Sequence, residues 1–509
     1  MNNSEFKPIN DAELESLLHS SVPFEPPEEI VKVVTPWKKA IKKVLLGLAL
    51  NTLTLNFLYL GYILPVIGTI LTILGLRVLR KENKWFSAYY VISLMGTAYK
   101  WIIFSLSASA TYDVAIPEYA LFTVTILFIF AQLTLFCLSL YTVAKKAGIT
   151  PKKSPMAALI IWFAVLTILS LLNYTGFIIP IAMIIGFICI LVSLNKITSE
   201  IDEIGYSIEN APVKINDGVL SAMLVVSLIA GIVCVYSFFS GYKMQWEIKD
   251  ENEHAQVQQI KENLISLGFP EKILDDMSAE DILSCKDATK VLVETEQVPF
   301  NDNTRVITVT EEITPYFTST YEKRIHDVNE MTRTNVGVCL TEDPEGDGDW
   351  QIIHHFCWDI NPGFYGTECI QLWPAYRSHQ RNSFTYVNKP TGRVLYSENG
   401  VDYVSSYHSL SEDSYTSDDI FGVRTNTDIF ATFSFKNQGE NHRGYVMYPL
   451  ADNSETNSLI DSWMNYCHQQ SLLQYPAVTA KDYRKSGGFD SVAFRTNQRT
   501  FQIADRELN

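Results

Sequence analysis

Four acidic side chains in a short loop have the spacing of calcium ligands. Asp343, Glu345, Asp347 and Asp349 occupy positions one, three, five and seven of the loop, and glycine occupies position six. This spacing matches the first half of an EF-hand-type calcium loop. Position twelve is His354 instead of the usual bidentate glutamate, and strands are predicted on both sides. The loop therefore predicts either a calcium site or a solvated hairpin tip with an Asp-Gly turn. Calcium is the one candidate cofactor of the chain.

Cysteines form a second set of residues with reactive chemistry. Five of them lie after Gly241, namely Cys285, Cys339, Cys357, Cys369 and Cys467. Outside the cytoplasm thiols can oxidise, and we predict a disulfide between Cys357 and Cys369, although connectivity does not follow from spacing alone. His355, Cys357 and Asp359 also share one face of a predicted strand, either as transition-metal ligands or as ordinary residues of a solvated face.

Few polar side chains interrupt the apolar first half of the chain. The candidates for an intramembrane polar site are Asn51, Asn56, Lys100 and Asn173. Lys100 lies about 22 Å along its predicted helix, and we expect its side chain to extend to the membrane interface beside Trp101. The asparagines are expected to form hydrogen bonds between helices. The apolar runs contain no Asp, Glu or His, which argues against an ion-coupled pump.

The sequence changes in composition near residue 240, so the residues named above lie on two different halves of the chain. The 509 residues are 47% hydrophobic and 19% charged; residues 1–240 have a net charge of +2 and residues 241–509 a net charge of −18. This composition excludes a single cytosolic globule and a disordered chain. It also excludes nucleic acid as a main partner, because neither half has a strongly basic surface.

Seven apolar runs predict seven transmembrane helices, because a bilayer core requires about 20 apolar residues per helix. The runs are residues 44–60, 62–79, 85–106, 119–143, 156–172, 177–194 and 219–239. Lys and Arg lie before the first run and on alternate connections after it, which predicts a cytoplasmic N-terminus. The chain after Phe239 is then predicted to be extracytoplasmic, at the plasma membrane. No Asn-x-Ser/Thr sequon follows Gly241, as is typical of a bacterial protein.

A partial internal repeat relates two of the predicted helix hairpins. Thr35-Pro36 recurs 115 residues later as Thr150-Pro151, and the segment from Gly61 to Pro65 recurs as that from Gly176 to Pro180. Both copies begin on the predicted cytoplasmic side, so the repeat is parallel. Two alternative explanations account for the repeat. One is the duplication of a bundle, as in some transporters, and the other is the general use of Gly and Pro in tight turns.

The second half predicts an extracytoplasmic α+β domain with an antiparallel sheet or sandwich core. The predicted boundaries are 1–37 for a cytoplasmic segment, 38–240 for the transmembrane domain, 241–252 for a tether, 253–300 for a small helical module and 301–509 for the β-rich domain. The stretch Leu267-Gly268-Phe269-Pro270, followed by Leu274 and Ile282, resembles ubiquitin-associated modules, which implies a small three-helix bundle. From Thr304 the apolar pattern has period two, typical of strands, whereas residues 457–473 are predicted to form a helix.

The expected function is binding without catalysis. Neither His-Glu-x-x-His nor Gly-x-Ser-x-Gly occurs in the sequence, so we expect that the chain is not an enzyme. We expect a multi-pass membrane protein whose extracytoplasmic domain binds or senses a ligand, with the lipid bilayer and an unidentified protein or surface ligand as partners. The alternative is a membrane transporter or an accessory subunit of a transport complex.

Overall fold

The chain forms two compact units. The computed structural model describes residues 36–503 except 54–58, 113–116, 151–152, 173, 175, 177, 210, 251–254, 301–303, 315–316, 327–329, 341–349, 375–383, 387–388, 420–421, 453–459, 473 and 489–490. The first unit, called the bundle unit, comprises the chain up to Phe104 together with Val114–Gly231. The second, called the β-rich unit, comprises Ser105–Asp113 and Ile232–Asn509.

Seven long helices occupy the positions of the predicted apolar runs. They are α1 (Pro36–Thr52), α2 (Leu60–Leu79), α3 (Lys84–Leu106), α4 (Glu118–Lys146), α5 (Lys153–Leu171), α6 (Ile178–Glu203) and α7 (Asp217–Phe239). Five of these, α2 and α4 to α7, are long and apolar enough to cross a membrane. The other two are more polar or shorter, because α1 has 17 residues with four lysines near its start and α3 contains two lysines.

Helices α1 and α2 pack backbone against backbone through glycine. A Cβ atom on Gly47 would lie 2.6 Å from the carbonyl oxygen of Gly68, and one on Gly68 would lie 2.8 Å from the carbonyl oxygen of Gly47. A Cβ atom on Gly75 would lie 2.6 Å from the carbonyl oxygen of Ala40. Small residues seven positions apart on both helices permit this approach, which is also common between the helices of membrane proteins. The contact determines where the side chains near the end of α1 lie.

The β-rich unit begins with short helices and continues as antiparallel strands. Helices α8 (Ala255–Ser266), α9 (Glu271–Asp276) and α10 (Ala279–Leu283) together are called the helical module. The strands are β1 (Glu247–Ile248), β2 (Lys290–Val298), β3 (Thr304–Thr314), β4 (Phe317–His326), β5 (Met331–Cys339), β6 (Trp350–Trp358), β7 (Glu368–Trp373), β8 (Phe384–Tyr386), β9 (Thr391–Glu398), β10 (Val401–Ser406), β11 (Ser409–Asp419), β12 (Gly422–Phe433), β13 (Glu440–Asp452), β14 (Ile460–Gln469) and β15 (Phe494–Ile503). Helix α11 (Ala480–Lys485) lies between the last two strands.

Two antiparallel sheets enclose the main apolar core of this unit. The larger has the order β1-β10-β9-β13-β6-β5-β2 with β8 beside β13, and the smaller has the order β11-β12-β7-β14-β15. Strands β3 and β4 form a separate two-stranded ribbon. Phe356 and Val446 of the larger sheet share the core with Ile370 and Tyr466 of the smaller sheet. The predicted antiparallel, β-rich region is therefore confirmed.

Helices cover the outer faces of both sheets. Leu264 and Leu274 of the helical module pack against Val336 and Ile353 of the larger sheet. Ala480 of α11 packs with buried side chains of the smaller sheet, including Cys369, Cys467 and Phe430. The unit consequently has four layers in the order helix, sheet, sheet, helix.

The helix predicted at residues 457–473 is wrong, because the described part of this segment is strand β14. It pairs with β7 on one side and β15 on the other. Nine of its ten residues are buried, since a strand in the middle of a covered sheet is enclosed on both faces. Such a strand loses the alternation of apolar and polar residues that identifies a half-exposed strand. The helix near the end of the chain is α11 instead.

Candidate functional site

The bundle unit contains a cavity of about 360 Å³. Helices α1 to α4 form its walls, together with Phe163 of α5. Its polar lining residues are Asn51, Thr52, Thr69, Thr72, Tyr89, Ser93, Thr97, Tyr99, Lys100, Thr125 and Gln132. The remaining lining is largely apolar and includes Ile73, Ile103, Phe104, Phe128 and Leu133. An apolar cavity with a few directed polar groups is typical of sites that bind small molecules.

The ammonium group of Lys100 binds two neutral side chains at this cavity. Its Nζ lies 2.6 Å from Oδ1 of Asn51 and 3.0 Å from Oγ1 of Thr69. The Thr69 hydroxyl donates a hydrogen bond to the same Asn51 oxygen at 3.0 Å. Nδ2 of Asn51 donates to the carbonyl oxygen of Gly47 at 2.8 Å. The Asn51 amide is thereby held with its oxygen toward the lysine.

Two of the four predicted intramembrane polar residues, Asn51 and Lys100, are therefore brought together. The direction of Lys100 differs from the expected one, because its side chain turns toward α1 and α2 within the unit. Asn51 can accept this hydrogen bond because the Gly47–Gly68 contact places the end of α1 beside Thr69. Asn56 and Asn173 lie outside the described residues.

The other polar residues of the cavity were not predicted, although α3 carries a recognisable pattern. Ser93, Gly96, Thr97 and Lys100 follow the i, i+3, i+4, i+7 spacing of one helix face. Ser93 is 4% exposed, and its Oγ has no hydrogen-bond partner among the described residues. A small and polar face on a mostly apolar helix indicates a face that packs inside a bundle.

The predicted metal sites of the second half receive no ligand set from the described residues. The acidic loop with Asp343, Glu345, Asp347 and Asp349 lies outside them, so calcium binding stays a prediction. Nε2 of His355 lies 3.0 Å from Oδ2 of Asp276, and Asp359 accepts a hydrogen bond from Thr332 at 2.6 Å. Within the described ranges, no group of three or more His, Cys, Asp or Glu residues is placed to hold a metal ion.

The predicted disulfide between Cys357 and Cys369 is not present in the structure. Both residues are thiols, Cys357 in β6 of the larger sheet and Cys369 in β7 of the smaller one. The residue directly opposite Cys369 in its strand ladder is Cys467 of β14. Burial raises the pKa of the Cys357 thiol to about 11, so it stays protonated and unreactive at neutral pH. Cys357 and Cys369 are close in sequence, but this spacing does not reveal that they belong to different sheets.

A buried network of charges attaches the helical module to the larger sheet. Asp276 of α9 accepts hydrogen bonds from His355 at 3.0 Å and from Nε of Arg443 at 2.7 Å. Arg443 also donates to Asp402 at 2.6 Å. Burial by itself would raise the pKa of Asp276, but the hydrogen bonds and charges of His355 and Arg443 outweigh burial and lower the pKa below its usual value. Asp276 is therefore ionised, and its hydrogen bonds are charge-assisted.

A second buried network joins the two sheets. Nδ1 of His354 is 2.7 Å from Oδ1 of Asn335, and Nε2 is 2.7 Å from Oγ of Ser462 in the smaller sheet. Nucleophilic enzymes use a hydroxyl, an imidazole and an orienting group in this order. Here His354 and Ser462 are both 0% exposed, so the hydroxyl is out of reach of a substrate. The network ties the sheets together, and burial lowers the pKa of His354 to about 3.

The β-rich unit also contains a cleft of about 690 Å³ beside the helical module. Its charged lining residues are Lys243, Glu247, Glu280, Asp281 and Arg393, and His408 and Tyr445 also contribute. The Arg393 guanidinium donates to the carbonyl oxygens of Asp276 at 2.8 Å and Met277 at 2.9 Å. The Tyr445 hydroxyl donates to the carboxylate of Asp281. These bonds fix the wall of the cleft before any ligand binds.

Comparison with known proteins assigns the chain to no family. No protein-family model matches it, and no curated protein matches it. The features of this chain that point to a function are therefore the cavity, the cleft and the apolar helices.

We expect acidification to destabilise the β-rich unit through its buried histidines. Burial lowers the pKa of His354 to about 3 and that of His442 to about 4, whereas an unfolded histidine titrates near pH 6.5. As the pH falls below about 6.5, the unfolded state binds protons that the folded state does not. Each histidine should then lower the free energy of unfolding by about 1.4 kcal/mol per pH unit, down to its folded pKa.

Urea melts of the full chain between pH 6.5 and 4.5 measure this dependence. The variants His354→Gln and His442→Gln should each reduce the slope of the unfolding free energy against pH by about 1.4 kcal/mol per unit. The double variant should lose both contributions. A slope that is the same in all four proteins contradicts the assignment of the pH dependence to these side chains.

Proposed function

We propose that α1 to α7 all cross the plasma membrane, with a cytoplasmic N-terminus and an extracytoplasmic β-rich unit. Five of the helices support this by their length and apolarity. Helix α3 has 23 residues, which corresponds to about 34 Å at 1.5 Å per residue, and the apolar run that begins in α1 continues in the sequence to residue 60. The alternation of basic connections supports the orientation.

Cysteine labelling tests this topology. In a chain whose native cysteines are replaced, a membrane-impermeant maleimide should label Val492→Cys on intact cells, because Val492 is 89% exposed in the β-rich unit. Lys39→Cys, at an exposed position near the start of α1, should react only after the cells are permeabilised. The reverse pattern would overturn the proposed orientation.

Within this topology, we propose that the bundle unit binds a small solute and acts as a transporter or as a subunit of a transport complex. The observation that carries this proposal is the cavity of about 360 Å³ with Lys100, Asn51 and Ser93 in its wall. A bundle that serves only as an anchor gains nothing from an interior ammonium group and a hydroxyl without a hydrogen-bond partner among the described residues, because both are costly to bury. The parallel repeat is consistent with the same function.

Access of water-soluble reagents to the cavity tests solute binding. Ser93→Cys, in a chain whose native cysteines are replaced, should react with small methanethiosulfonate reagents, because position 93 lines the cavity. Met95→Cys is the matched control on the same helix, since Met95 is 54% exposed on the outside of the unit and should be shielded by lipid. Equal, slow reaction at both positions would refute a solvent-accessible site.

Ligand binding by the β-rich unit is a second candidate function, as a binding or sensing module outside the membrane. The cleft of about 690 Å³ favours it, because the wall is already fixed by the hydrogen bonds of Arg393 and Tyr445. Pre-organised walls reduce the entropic cost of binding. The mixture of basic and acidic lining residues favours a polar ligand that carries both charges.

Thermal-shift measurements with free amino acids and dipeptides test the cleft. A stabilising probe should lose its effect in Ser406→Trp, because Ser406 lines the cleft and the indole would fill it. Ser486→Trp, at an exposed position after α11, is the control and should respond like the natural chain. A shift that survives in Ser406→Trp, or no shift with any probe of this panel, counts against this function.

A further inference from the structure

The charge in the bundle cavity has no opposite charge within the apolar runs. Among the described residues that line the cavity, Lys100 is the one with a charge, and the seven runs contain no Asp or Glu. Asp217, at the first residue of α7, already binds Lys43 at 2.5 Å and Arg77. Two uncharged oxygens, from Asn51 and Thr69, accept hydrogen bonds from the Lys100 ammonium. A positive charge among apolar helices is costly unless an anion pairs with it.

A second polar group of the same cavity also requires a partner. The Ser93 side chain is 4% exposed, and its Oγ makes no hydrogen bond to the part of the chain that the structure describes. A buried hydroxyl without a partner is destabilising by about 1–3 kcal/mol. Ser93 and Lys100 are seven residues apart on α3, so both lie on the helix face that lines the cavity. The site thus offers an ammonium group and a hydroxyl donor on one wall.

The apolar residues of the cavity lining indicate the chemistry of the uncharged part of the ligand. Ile103, Phe104, Phe128, Leu133 and Phe163 contribute apolar surface to the cavity. The volume of about 360 Å³ corresponds to about twelve water molecules at about 30 Å³ each. One lysine balances one negative charge, whereas a phosphate monoester would bring nearly two. A ligand with one negative charge and a compact apolar body therefore matches the site.

We propose that the bundle cavity binds a small monocarboxylate, with its carboxylate on Lys100 and Ser93 and its apolar body against the aromatic and aliphatic lining. This inference rests on the proposed solute-binding function and names the class of solute. The Asn51 amide and the Thr69 hydroxyl orient the lysine, and the ligand carboxylate completes its coordination. Charge-assisted hydrogen bonds of this kind are the stronger ones in proteins.

Three probes of equal chain length but different charge test the proposal. Calorimetry of the full chain in nanodiscs would compare hexanoate, hexan-1-ol and hexylammonium. Hexanoate should bind at least tenfold more tightly than hexan-1-ol, and hexylammonium should bind most weakly because it repels Lys100. Lys100→Met should abolish the preference for hexanoate over hexan-1-ol. Lys84→Met removes a lysine that contacts Trp85 at the start of the same helix and should leave the preference unchanged.

A second variant covers the case in which Lys100→Met does not fold. Ser93→Ala removes one hydroxyl and should weaken hexanoate binding by about tenfold, which is the effect of a hydrogen bond to a charged group, while hexan-1-ol binding changes little. If hexanoate and hexan-1-ol bind with equal affinity and neither variant changes this, the proposal of a monocarboxylate ligand is overturned, whereas the proposal of solute binding is not. Absence of binding by all three probes overturns it as well. The reactivity of Ser93→Cys then decides separately whether the cavity is a solute site.

Discussion

The close contact of Gly47 and Gly68 is the constraint on which the arrangement of the bundle cavity depends. Because neither residue has a side chain, the backbones of α1 and α2 approach until a Cβ atom at either position would overlap a carbonyl oxygen. This approach places Asn51 beside Thr69 and holds the Asn51 oxygen toward Lys100. A larger residue at either glycine would separate the helices and the two acceptors of the ammonium group. Packing of the smallest residues thus determines the position of the one charge in the cavity.

Two buried charged groups, one around Asp276 and one at Lys100, are compensated in different ways. In the β-rich unit, Asp276 is matched by Arg443 and by His355, and Asp402 completes the group. A buried charge of this kind is compensated within the chain. In the bundle unit, Lys100 has neutral partners, and the apolar runs provide no carboxylate. The contrast is the physical reason for assigning a ligand to the bundle cavity, since a compensated network needs none.

The β-rich unit shows how the period of a strand distributes polar residues between layers. His354 and His355 are neighbours in β6 and point to opposite faces of the larger sheet. His354 binds Ser462 across the sandwich, whereas His355 binds Asp276 of the helical module. One pair of adjacent histidines therefore connects three of the four layers. The same alternation places Cys369 on the outer face of the smaller sheet, beside α11 and away from Cys357.

The sequence by itself determined the features that depend on local composition. Long apolar runs identified the positions of α1 to α7, and the period of two that begins at Thr304 indicated the strands of the β-rich unit. Tertiary structure decided the features that depend on contacts between distant residues. The direction of Lys100 follows from the packing of α1 on α2, and the strand β14 follows from its place between β7 and β15. Periodicity reports which face of an element is apolar, whereas the partner that covers this face is fixed only when the chain has folded.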